Sequence, residues 1–300
     1  MGTVKSLEVS RFDRFTDAVN IFLKESGGAP VTHAVVAVAG PVQDGRCVLT
    51  NCNWAIDAGE LRTTFGWAAR VVNDFEAVAL SLPALTPADV ARIGPGSPLP
   101  GAPMAVVGPG SGLGVACLIA DPQNQNHVVL PSEGGHATLA AANSREDDII
   151  GRLRRRFGHV SAERAVSGPG LENLYQAVGE CDGLGLPPKG AADITRMALV
   201  RPAQGSAEGK QRAAVEALEL FCAFLGAFAG NAALTFGARG GIFVAGGITP
   251  RMVDFLTRSE FRTRFEAKGR FKPYLEKIPT QVIVHPAAAF LGLKSVVEQG

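Results

Sequence analysis

The chain has 300 residues, 46% of them apolar, 7% aromatic and 19% charged, which is enough material for one large or two modest hydrophobic cores and excludes a disordered tail or a small disulfide scaffold. Twenty-nine basic residues against 28 acidic ones leave a formal net charge of +1, so no overall basic field exists to gather phosphate backbones or anionic lipid. Nucleic acid and membrane surfaces are therefore poor default partners. Cys47, Cys52, Cys117, Cys181 and Cys222 are odd in number and scattered, with no CxxC pair, which indicates a reducing cytoplasmic setting and no structural metal site.

In chain order, Phe12, Phe15, Val19, Phe22 and Leu23 fall at helical spacing, and the run Ala34 to Ala39 reads as a strand covered on both faces. Further strands are expected at Val4 to Val9, Arg46 to Thr50, Ala69 to Val72, Met104 to Val107, Gly114 to Ala120, His127 to Leu130, Ile242 to Ala245 and Gln281 to Val284. Helices are expected between them at Ala58 to Phe65, Phe75 to Leu82, Arg145 to Phe157, Pro169 to Gly179, Ala191 to Leu199, Lys210 to Phe236, Pro250 to Leu256 and Ala287 to Glu298. This alternation is the pattern of an α/β protein. Six prolines between Pro83 and Pro103 mark a passage from one lobe to another. Leu220 to Ala238 is long and uncharged enough to span a bilayer, but Gly226, Gly230, Asn231 and Gly237 dilute it, so a buried helix is the better reading.

Four places carry possible chemistry. The loop Gly108 to Gly114 reads GPGSGLG between two apolar strands; it could cradle a phosphate on its backbone N–H groups or be only a tight turn. Asn73 and Asp74 end one strand and open a helix, where Asp74 could be a simple N-cap or could accept a proton from a substrate hydroxyl. Glu133 and His136, in LPSEGGH, together with Glu163, in HVSAERAVSGPGL, form an acid, imidazole and acid set suited to polyol hydroxyls, although each taken alone also fits a solvated polar group. Finally, a buried strand ends in Gly246 and Gly247 before Pro250, an open edge that could hold a nucleotide base or merely permit close packing.

Taken together, VAGPV (38–42), TNCNW (50–54), NDFEAVALSLP (73–83), GPGSGLGVA (108–116), PSEGGH, HVSAERAVSGPGL, GGIFVAGGITPR and FRTRFEAKGRF (261–271) resemble the blocks of the bacterial glucokinase family, in its order, over essentially the whole chain. The resemblance implies the two-lobed, ribonuclease H-like α/β fold of the hexokinase and actin-like ATPase superfamily, with the active site in a cleft between a small lobe (1–84 plus 285–300) and a large lobe (85–284). It also implies a cytoplasmic, usually homodimeric enzyme that phosphorylates the 6-hydroxyl of glucose with ATP and Mg2+ at the entry to glycolysis. On the matching positions, Asp74 would be the general base, and Asn73, Glu133, His136 and Glu163 would join it in binding the sugar. Gly110, Ser111 and Gly112 would meet the nucleotide phosphates, and Gly246 and Gly247 the adenosine.

The related ROK sugar kinases place clustered zinc-binding cysteines after the histidine of the sugar site, whereas residues 137–180 contain no cysteine. The chain departs from the glucokinase pattern at its start. Family members open with a hairpin bearing D-x-G-G-T, and that sequence occurs nowhere here. Such a hairpin needs about 20 residues. Two readings follow: a glucokinase that has lost one phosphate loop, or a truncated or degenerate relative that binds sugar without catalysis.

Overall fold

The computed structural model describes residues 4–27, 30–49, 52–121, 127–200 and 208–299. The chain divides into two compact units, Met1–Ala84 with Ala287–Gly300, and Leu85–Pro286. In the first, α1 (Phe15–Glu25) leads to β1 (His33–Val38), followed by β2 (Arg46–Val48), β3 (Ala55–Asp57), α2 (Ala58–Phe65), β4 (Ala68–Asn73) and α3 (Asp74–Ser81). Strands β1 and β4 pair in parallel with Val38 opposite Asn73, so both carboxyl ends lie together. Antiparallel β2 and β3 pair Arg46 with Asp57, and Val38, Cys47, Ile56 and Val71 form a small core.

Local chemistry fixes these element ends. The Asp57 carboxylate accepts the N–H groups of Gly59 and Glu60 at 2.7 and 3.2 Å, capping α2. That helix stops at Gly66, whose φ of +74° is the left-handed conformation glycine adopts without a Cβ clash. The Trp54 indole N–H donates to the Phe12 carbonyl at 3.0 Å, and its ring meets Phe15 edge-on, which ties the opening segment to this unit.

Two expectations change here. Residues 4–8 are not a strand: they lie in no sheet among the described residues, Val9–Arg11 forms a 3-10 turn, and Val4 is exposed. An apolar alternation needs a neighbouring strand to satisfy its backbone, and none pairs with it here. The second strand ends at Val48, while Thr50 and Asn51, the first two residues of the TNCNW block, lie outside the described residues.

The second unit is built on one six-stranded sheet in the order β5 (Val90–Arg92), β10 (Thr280–Ile283), β9 (Gly241–Val244), β6 (Met104–Pro109), β7 (Leu113–Ala120) and β8 (His127–Ser132). Strands β6, β9 and β10 run parallel, while β7 folds back on β6 with Pro109 opposite Leu113. The three residues Gly110–Gly112 close that hairpin. Around the sheet lie α4 (Ser144–Phe157), α5 (Gly168–Cys181), α6 (Ala191–Leu199), α7 (Glu208–Phe236), α8 (Val253–Arg258), α9 (Phe261–Glu266) and α10 (Lys272–Leu275). The chain then returns to the first unit as α11 (Ala288–Gln299).

Helix α7 is long and apolar enough to cross a membrane by length and composition, yet most of it is buried in this unit, with Phe221, Phe224 and Leu225 fully enclosed. Each such side chain contributes about 1.5–3 kcal/mol by leaving water. Its Gly226 and Gly230 lie against the Phe261 and Phe265 carbonyls of α9, where a Cβ would collide with backbone. Gly226 and Gly230, two of the glycines that dilute its apolar run, are thus close-packing positions in a core helix, while Gly237 follows the helix end at φ +61° with open space around it.

Helix α9 is also held by charge. Arg264 pairs with the carboxylate of Glu146 on α4 through both oxygens, and Glu146 is 2% exposed. The Ala142 N–H and Asn143 Nδ2 also donate to that carboxylate at 2.8 and 3.0 Å. Burial alone pushes the Glu146 carboxyl up, but the Arg264 and Ala142 hydrogen bonds and the guanidinium charge outweigh it and hold the group below its ordinary value.

Candidate active site

The first unit contributes the junction of β4 and α3. Asn73, not Asp74, is the N-cap: its Oδ1 accepts from the Phe75 N–H at 2.8 Å and from Glu76 at 3.4 Å, and its Nδ2 donates to the Gly40 carbonyl at 3.1 Å. Asp74 is therefore the first helical residue, with its Oδ1 2.9 Å from the Phe75 nitrogen. At this helix start the unpaired N–H groups carry partial positive charge, and Asp74 sets a carboxylate charge beside them. The thiol of Cys47 is close enough to register that charge: burial, then Asp74, pushes it up. Replacing Asn73 with Ala removes the cap and the bridge to Gly40, and thermal melts are expected to show a loss of about 1–2 kcal/mol.

The second unit assembles the other candidates at one end of its sheet. Because β6 and β9 are parallel neighbours with Val107 opposite Val244, the Gly110–Gly112 turn and the Gly246–Gly247 turn leave the sheet side by side. The Ala245 N–H donates to the Val107 carbonyl at 2.8 Å. Gly246 has φ +94°, and a Cβ on it would run into the Pro109 carbonyl, so these two turns pack directly on each other. Gly110 and Gly247 face open space. Such a backbone edge, with no side chain in the way, suits the approach of a nucleotide.

Beside this edge, β8 ends at Ser132 and the chain enters a 3-10 turn, Gly134–His136. Glu133 precedes that turn, and its carbonyl accepts the His136 N–H at 3.0 Å. Gly135 packs on the Leu113 carbonyl, where no Cβ would fit. The following residues pair with the segment that carries Glu163: Leu139 N–H donates to Val160 and Ala162 N–H to Ala137, both at 2.9 Å. As a result His136 sits between two carboxylates, its Nε2 3.8 Å from Glu133 Oε2 and its Nδ1 4.0 Å from Glu163 Oε1. These separations exceed direct hydrogen bonds, so the imidazole is not consumed within the cluster. Glu133 and His136 are exposed, and Glu163 is half-buried.

Thus Glu133, His136, Glu163, Gly110, Ser111, Gly112, Gly246 and Gly247 all lie at one end of the second unit's sheet, and Asn73 and Asp74 lie at a strand end of the first. Sequence reasoning missed the backbone of Leu113, whose N–H donates to Glu163 Oε2 at 3.0 Å, and Ser167, whose hydroxyl donates to the Glu163 carbonyl at 2.8 Å. The first link spans 50 residues and carries no local pattern; the S-G-P-G start of α5 was the visible trace of the second. No group of three or more His, Cys, Asp or Glu side chains capable of holding a metal occurs among the described residues.

Comparison with known proteins identifies the family. The family model described as Glucokinase matches residues 1–300. A glucokinase of Paramagnetospirillum magneticum is 45% identical over 293 residues, covering 97% of this chain and 88% of that protein. The bifunctional protein glk of Paraburkholderia xenovorans is 39% identical over the full chain, which spans only 46% of its length. Among solved structures, a glucokinase from an Antarctic psychrotroph superimposes with a TM-score of 0.85 at 33% identity, covering 97% of this chain and 88% of that one. With a full-length family match, a fold shared with a solved glucokinase and the motif residues gathered on strand ends, the chain belongs to the glucokinase family, a family of sugar kinases.

Proposed function

We propose that this chain phosphorylates the 6-hydroxyl of D-glucose with ATP. The observation that carries the reading is the carboxylate, imidazole and carboxylate set of Glu133, His136 and Glu163 set directly against a glycine edge that leaves its backbone open. Polyol acceptors and an open backbone cradle on one sheet end are what a sugar kinase requires.

In this reading Glu133, His136, Glu163 and Asn73 take the sugar hydroxyls. Asn73 has one amide hydrogen left after its bond to Gly40, and His136 offers both a donor and an acceptor. Asp74 accepts the proton of the 6-hydroxyl as that oxygen bonds to the γ-phosphorus and the bond from phosphorus to the bridging oxygen breaks, releasing ADP. Gly110, Ser111 and Gly112 would meet the donor's phosphates, and Gly246 and Gly247 its adenosine. Mg2+ would neutralise charge on those phosphates and keep several waters as ligands. A cytoplasmic homodimer at the entry to glycolysis belongs to the same proposal; five free cysteines fit the compartment.

The test is a coupled assay of glucose 6-phosphate formation with ATP and Mg2+, together with calorimetry of glucose on the same sample. Turnover is expected. Glucose binding without turnover would select the sugar-binding reading instead, which the lack of any D-x-G-G-T sequence motivates.

A further inference from the structure

Gly110 and Gly112 occupy the same glycine-rich turn, but their surroundings differ. Neither has a positive φ, so no left-handed backbone demands glycine at either position. A Cβ on Gly110 would meet nothing within 4 Å. On Gly112 it would lie 2.5 Å from Glu163 Oε2, well inside van der Waals contact. That same oxygen accepts the Leu113 N–H at 3.0 Å, while Oε1 is the oxygen on the His136 side. Two further bonds hold this register: Gly168 N–H donates to the Gly110 carbonyl and Ser167 Oγ to the Glu163 carbonyl, each at 2.8 Å.

We propose that Gly112 is a positioning residue for the sugar site: its missing side chain lets the Glu163 carboxylate brace the glycine turn with one oxygen and present the other to the sugar. Gly110 is the glycine that leaves the turn open to a donor phosphate. The inference rests on the glucokinase reading and joins the sugar carboxylate to the phosphate turn at Gly112 and Leu113, so a change at that contact is felt by both ligands, whereas a change at Gly110 is not.

The experiment is calorimetry of glucose on nucleotide-free protein, where a residue serving only the phosphate donor has no effect. Gly112→Ala is expected to weaken glucose binding by about tenfold, the size of one displaced hydrogen bond to a charged group. Gly110→Ala is expected to stay within about twofold of the parent. Equal affinity for the parent and Gly112→Ala overturns the proposal. Should Gly112→Ala not accumulate as folded protein, Glu163→Ala gives the reciprocal reading: without sugar, its affinity for a non-hydrolysable ATP analogue is expected to fall by about fivefold, and an unchanged affinity overturns the proposal. A parent protein that binds no glucose overturns the glucokinase reading itself, an outcome distinct from either.

Discussion

Asp74→Asn is expected to lower kcat for glucose phosphorylation by about 10²–10⁴-fold, the range that a positioned general base contributes, while calorimetric glucose affinity changes only a few-fold. The amide keeps the size of the carboxylate and an oxygen that can face the Phe75 N–H, so the start of α3 is retained and the change isolates proton acceptance. Asn73 carries the cap, so the helix does not depend on Asp74 for its first hydrogen bonds. Melting curves and steady-state rates on the same preparation check both halves. An unchanged kcat would remove Asp74 from the chemistry and leave its charge as a contribution to the helix start.

The largest stability effect is expected far from any ligand, at Arg264. Replacing it with Met retains much of the side chain's length but strands the buried Glu146 carboxylate, at an expected cost of about 3–5 kcal/mol. For a unit of this size that lowers the melting temperature by roughly 10 °C. The pH dependence has a definite sign. In the parent the Glu146 carboxyl lies below its unfolded value, so its contribution is full above that value and is lost as pH falls through the folded one. In Arg264→Met the guanidinium's hydrogen bonds and charge are gone while burial and the Ala142 and Asn143 bonds remain, so the carboxyl lies higher than in the parent and acid costs the variant less. The gap between the two melting curves is therefore expected to narrow between pH 7 and pH 4. A constant gap would mean that Arg264 acts through packing alone.

The sequence was most readable where one element satisfied a local rule. Ala58–Phe65 and Ala191–Leu199 have the bounds their periodicity implies, whereas the β-branched run near Ala34 is a strand, His33–Val38, in which only Val38 is buried, not the strand covered on both faces that its composition suggests. Three-residue strands such as Ala55–Asp57 and Val90–Arg92 are too short to show a period, and both were missed. Val4 to Val9 shows the opposite failure: the pattern is present but no strand among the described residues pairs with it, and strand formation is a property of pairs. At the site, residue types and turns were legible, because glycines and a strand-to-helix junction announce themselves. The cap assignment was one residue off, since Asn and Asp side by side compete for the same N–H groups. What no pattern could supply was the convergence of Leu113 and Glu163, or of Glu146 and Arg264, pairs 50 and 118 residues apart. The block 261–271 was recognisable as a unit of sequence, but its role in neutralising a buried carboxylate emerged only from packing.

Helix α11 packs on α3 so closely that Gly292 leaves no room for a Cβ against the Ala77 carbonyl, yet 206 residues, 82–287, separate α3 from α11 in the chain. During synthesis the second unit is one continuous segment and can fold as soon as it leaves the ribosome. The first unit cannot. Its two-stranded sheet and α3 must wait, with Ala77, Ala79 and Leu80 still seeking cover, until residues 288–299 emerge. The N-terminal part of this protein is therefore the last to be finished, and the interval before its closing helix arrives is when a chaperone or a protease would find it.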